Sequence, residues 1–104
     1  MQAEYPAEFT RDHGCTEPEW LRCLAGAVRD QRLTLGVPGT ATVTITDGTG
    51  DGSLTLRWLL LPPRLTSLVA LPRLEVHYRF AGLDEAQRKT FMRYFDLYML
   101  RGGG

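Results

Sequence analysis

From Arg73 to Phe80 the chain alternates without a break: Leu74, Val76, Tyr78 and Phe80 are apolar, and Arg73, Glu75, His77 and Arg79 are polar. Successive side chains on a strand point to opposite faces, so this run is expected to form an antiparallel strand with one face on a core and the other in water. Ala81-Gly82 ends the strand. Asp84, with Gln87 three residues on, has the spacing of a capping box, which opens a helix over Glu85–Leu100.

The second half of that helix is unusually apolar. Phe91, Met92, Tyr94, Phe95, Leu97, Tyr98, Met99 and Leu100 leave only Arg93 and Asp96 polar. Lys89, Arg93 and Asp96 fall at i, i+4 and i+7 and form one narrow polar stripe. A helix apolar over most of its circumference needs two neighbours. Phe91, Phe95 and Tyr98 are expected on the sheet, and Met92, Leu97 and Met99 beneath a second cover: the other helix, a partner chain or a ligand.

Upstream, Thr16 and Glu19 form another capping box, with Pro18 in the first turn where its missing N–H does no harm. Trp20, Leu24, Ala27 and Val28 recur at helical spacing, giving a helix to about Gln31. A short strand over Leu33–Leu35 stops at Gly36-Val-Pro-Gly39. Ala41, Val43 and Ile45 then alternate with threonines, Asp47–Gly52 reads as a turn, and Leu54, Leu56, Trp58 and Leu60 form the returning strand. Pro62-Pro63 is expected to break that strand, with Leu65–Leu71 as a connection or a short strand. Glu4–Thr10 suits an edge strand, to which Pro6 would confine it.

The element order is (β)-α-β-β-β-β-α. It predicts an α+β fold of two layers, a curved antiparallel sheet of about four strands plus an optional N-terminal edge strand, with both helices on one face. In the succession of elements alone, this order resembles helix-grip and TATA-binding-protein-like domains. At 104 residues and 43% hydrophobic content, with no repeat or linker, one domain over residues 1–104 is expected.

Charge excludes more than it suggests. Twelve basic residues balance twelve acidic ones, which removes the electrostatic footprint of a nucleic-acid or anionic-membrane binder. Residues 1–52 hold four basic and eight acidic residues, and residues 53–104 the reverse. This asymmetry suits mutual attraction within one fold. The use of arginine at every basic position but Lys89 suggests a GC-rich, bacterial genome. The start of the chain lacks the basic and apolar blocks of a signal peptide, so a cytoplasmic protein with reduced Cys15 and Cys23 is expected.

Candidate chemistry is sparse. Asp47, Thr49, Asp51 and Gly52 match the start of a calcium loop, but its last position is Trp58 instead of glutamate. His13, Cys15 and Cys23 lack zinc spacing. Cys15 precedes a helix start, where the dipole would lower its pKa. Glu75 and His77 share a strand face as an acid–base pair, with no nucleophile beside them. No cofactor, metal or catalytic set is implied. The tail Leu100-Arg-Gly-Gly-Gly104 resembles the Leu-Arg-Gly-Gly end of ubiquitin-like proteins, and that resemblance implies a carrier using its diglycine.

The reading that absorbs most features is a non-enzymatic protein-interaction module acting through the C-terminal helix, with a protein partner or a second copy. Surplus apolar surface on a small domain marks a partner. Met92, Tyr94, Met99 and Trp58 are the expected interface residues, and Leu59 and Leu61 lie out of register with the core face. The alternative is an apolar small molecule held between the last helix and the sheet by Trp58, Tyr78, Phe91 and Tyr98.

Overall fold

The computed structural model of the chain describes residues 4–46 and 51–102. The elements run β1 (Glu8–His13), α1 (Glu17–Ala27), β2 (Arg32–Leu35), β3 (Thr40–Thr46), β4 (Asp51–Leu65), β5 (Ala70–Ala81) and α2 (Glu85–Gly102). The five strands form one antiparallel sheet in the order β1-β5-β4-β3-β2. β2 to β5 is therefore a meander, and β1, first in sequence, is laid against the last strand. This is the expected α+β plan, with the N-terminal strand present.

Alternation sets the two faces. Val43, Leu54, Leu56, Leu74, Val76 and Tyr78 are wholly buried on the core face. Trp20, Leu24 and Ala27 of α1 and Met92 and Phe95 of α2 cover them. Aromatic rings link the layers: Trp20 meets Trp58 edge-on at 5.7 Å, and Phe95 meets Tyr78 edge-on at 5.9 Å. The opposite face carries threonines, Arg57, Glu75, His77 and Arg79.

Both helix starts carry the expected capping boxes. Glu19 N–H donates to the Thr16 hydroxyl, and Thr16 N–H donates to the Glu19 carboxylate. Gln87 N–H donates to Asp84, and Asp84 N–H to Gln87. α1 ends at Ala27, one turn before the expected Gln31, because Arg29 takes the left-handed conformation (φ 59°) usual for a helix-terminating glycine. The helices approach closely at Gly26, where an added Cβ would stand 2.0 Å from the Tyr98 hydroxyl.

Two expectations are corrected here. Pro62-Pro63 does not break the strand: β4 runs on to Leu65, and Leu65–Leu71 is the tip of a long β4–β5 hairpin. Pro62 and Pro63 together oppose Pro72, between the pairs Leu61–Arg73 and Arg64–Leu71, and the ladder passes them as a bulge. The N-terminal strand is Glu8–His13, so Pro6 lies before it.

Burial separates the helix core from the hairpin tip and predicts their energetics. Phe95 is wholly buried, so Phe95→Ala should destabilise the protein by about 3–5 kcal/mol. Leu68 is 90% exposed, so Leu68→Ala should stay within about 0.5 kcal/mol of the parent. Urea titrations of the two variants, read against the parent, check both numbers.

Candidate functional site

The structure offers two unusual places: the outer part of the β4–β5 hairpin, and a buried polar cluster between β1 and α2. The hairpin outlasts its neighbours. β3 reaches only as far as Thr40, opposite Arg57, and β1 ends at His13, opposite Leu74. The last bond to β3's side is from Trp58 N–H to the Gly39 carbonyl, at 2.9 Å. From Leu61–Arg73 outward β4 and β5 pair only with each other, as a two-stranded arm whose base at Leu59–Glu75 and Leu60–Leu74 is still flanked by β1.

The arm is apolar on both sides. Leu59 and Leu61 stand opposite Glu75 and Arg73 on the otherwise polar face, while Leu60 stands opposite Leu74 on the core face. Leu60 is 70% exposed, Leu65 78%, and Leu59, Leu68, Val69 and Leu71 are exposed as well. α1 does not reach over this region: its first turn lies beside Trp58, whose indole N–H donates to Glu17 at 2.7 Å. The tip is tightly closed. Thr66 N–H donates to the Val69 carbonyl at 2.9 Å, and the Thr66 hydroxyl accepts from Val69 N–H at 3.0 Å. The arm is thus an ordered surface, and six large apolar side chains exposed together exceed what a small domain normally leaves in water.

Its charges are few. Arg73 donates to Asp12 at 2.6 Å, and its Nε is buried without a partner among the described residues. Arg64 and Glu75 are in no ion pair with a described residue. Asp12, His13, Gly14, Arg64, Leu71, Pro72 and Arg73 line a notch of about 240 Å³ where β1 leaves the edge of β5.

The buried cluster centres on Asp96. Its carboxylate accepts from the Arg11 guanidinium at 2.7 and 3.1 Å, and from the Tyr5 hydroxyl at 2.5 Å. The Arg11 guanidinium also lies 5.2–5.8 Å from the rings of Phe9, Tyr78 and Tyr5. Next to it, His13 Nε2 and the Tyr78 hydroxyl share a hydrogen bond of 2.6 Å. Burial, then the hydrogen bond to Asp96, pushes Tyr5 up to about 12. Burial, then the Arg11 charge, pushes His13 down to about 4. With these bonds the cluster ties β1 to α2 as a structural lock.

The expected site residues scatter. Of the expected interface, Tyr94 is exposed beneath the Arg29 guanidinium, 4.5 Å away, and Met99 is partly buried against the core. Met92 and Trp58 are corrected to core positions, because Met92 points into the layer between α2 and the sheet and Trp58 lies under α1. The expected ligand pocket is also corrected. Trp58 and Tyr78 are packed in the core, Phe91 lines a cavity of about 110 Å³ between the helices, and Tyr98 lines a separate surface hollow. These four do not surround one cavity, and 110 Å³ is below the usual range of ligand pockets.

Other expectations are revised on the same grounds. Asp96, placed on the solvent stripe with Lys89 and Arg93, is buried and paired. Burial, then the nearby Glu19 charge, raises the Cys15 thiol above its ordinary value, the reverse of the expected activation. His77 pairs with Glu8 across the strands at 2.7 Å and not with Glu75. Among the described residues no group of His, Cys, Asp and Glu could hold a metal ion. Asp47 and Thr49 of the calcium-loop pattern, and Gly103-Gly104 of the tail, lie outside the described residues. Among the described residues no helix is long and apolar enough to cross a membrane.

No family model matches the chain, and neither a curated protein nor a solved structure matches it.

His13 makes the lock pH-dependent. It is neutral in the fold and titrates near 6.5 when unfolded, so below that pH the unfolded chain binds more protons. The stability it contributes is complete above pH 6.5 and is lost as the pH falls towards 4, by up to about 3 kcal/mol at roughly 1.4 kcal/mol per unit. Urea titrations between pH 7 and pH 4 should show this slope in the parent and a shallower one in His13→Gln. Asp96→Asn at neutral pH should cost about 3 kcal/mol, because it strips the charge from one partner of a buried ion pair.

Proposed function

We propose that this protein is a non-enzymatic protein-interaction module, and that the β4–β5 arm is its docking element. The observation that carries this reading is the ordered, two-sided apolar surface of the arm, formed by Leu59, Leu60, Leu65, Leu68, Val69 and Leu71, beyond the reach of both helices. Core formation does not need these residues, and water disfavours them. A partner that buried the arm would recover about 25 cal/mol per Å² of apolar surface removed from water. The exposed residues Tyr94, Leu97 and Leu100 of α2 form a smaller apolar surface, flanked by Arg93 and Arg101. The helix therefore ranks behind the arm once Met92 is placed in the core.

A photo-crosslinking amino acid placed singly at Leu68, Tyr94 or Thr42 tests the reading in cells producing the protein. The expected result is a discrete crosslinked protein from position 68 and none from position 42 on the polar sheet face. Adducts from position 94 alone would move the docking surface to α2. Equal, diffuse labelling from all three would remove the module reading altogether.

A further inference from the structure

We infer that the arm's partner is a second copy of this chain, packed arm against arm about a two-fold axis. This deepens the reading of the arm as a docking element and rests on it. The inference comes from the order of side chains along the arm's polar-side face. From base to tip the cross-strand pairs are Leu59–Glu75, Leu61–Arg73 and Arg64–Leu71. Glu75 lies two residues after Arg73 on β5, and Leu71 two residues before it. At about 3.3 Å per residue, each stands roughly 7 Å from the central pair.

A two-fold axis running across the arm at Leu61–Arg73 therefore lays the base of one arm over the tip of the other. Glu75 of one copy falls over the Arg64–Leu71 pair of the other, and the same contact recurs by symmetry. Leu61 faces Leu61 at the axis. Arg73, the one like charge brought near its own copy, is already neutralised by Asp12 at 2.6 Å. Arg64 and Glu75 are in no ion pair with a described residue. A single face that carries both signs on either side of a central leucine is self-complementary, which is the requirement of an isologous dimer.

Charge agrees with this occupant. The chain has no net charge, so copies do not repel.

Sedimentation equilibrium of the purified full-length protein at micromolar concentrations tests the inference, with Arg64→Glu, Glu75→Arg and the double reversal. The parent should sediment as a dimer. Each single reversal should weaken dimerisation at least about tenfold, and the double reversal should restore it to within about threefold of the parent. All three substitutions lie outside the core, so circular dichroism melts should match the parent. A parent monomeric at every concentration overturns the inference, and so does a dimer indifferent to the reversals. A monomeric parent that still gives a heterologous adduct from position 68 would overturn self-association alone and leave the arm as a docking element for another protein.

Discussion

The ion pair between Arg11 and Asp96 joins residues 85 positions apart, and the rest of the structure depends on it. β1 reaches the sheet only as an edge strand, held by its ladder to β5 and by Phe9 stacked on Tyr78 at 4.7 Å. A slip of one residue would turn Arg11 out to the polar face and bring its neighbours into the core. That slip would strand Asp96, whose burial on α2 is offset among the described residues by Arg11 and Tyr5. A buried carboxylate without its partner costs far more than a mispaired edge strand. The pair therefore sets the register of β1 and the rotation of α2 together.

The rotation of α2 determines which of its many apolar residues enter the core. Asp96 can meet Arg11 only if Met92 and Phe95 face the sheet, because residues three and four apart share a helix face. Tyr94, Leu97 and Leu100 are then left outside. The helix pattern alone did not show this. With eight apolar residues in ten positions its stripe has no clear centre, and the polar stripe suggested that Asp96 faces water. The strands were easier to read. In β3 and β5 one face alternates with the other and decides burial directly, and both capping boxes are local signals that tertiary packing left intact.

The arm was the largest feature hidden from the sequence. Pro62-Pro63 is a strand breaker by local rules, since neither residue can donate to a ladder and both resist a central position. Here both lie opposite Pro72, and the three prolines occupy one irregular step between regular pairs. The bulge absorbs the missing donors, and the strand resumes at Arg64. Leu59 and Leu61, out of register with the core face, were the visible trace of the arm, because alternation fails where both faces are apolar.

Those prolines also decide how such an arm associates. An exposed two-stranded ribbon presents unpaired N–H and C=O groups along both edges, and an apolar ribbon of this kind is prone to strand addition without end. Pro62 and Pro63 remove donors from one strand of the arm and Pro72 from the other, so continuous strand pairing is blocked along both outer edges. Attraction remains on the faces, where Leu59, Leu61 and Leu71 sit between Arg64 and Glu75. Edge pairing would propagate from copy to copy. Packing of one face about a two-fold axis consumes the same surface on both copies and closes at two. The stretch that makes the arm apolar thus also carries the prolines that oppose open-ended strand pairing.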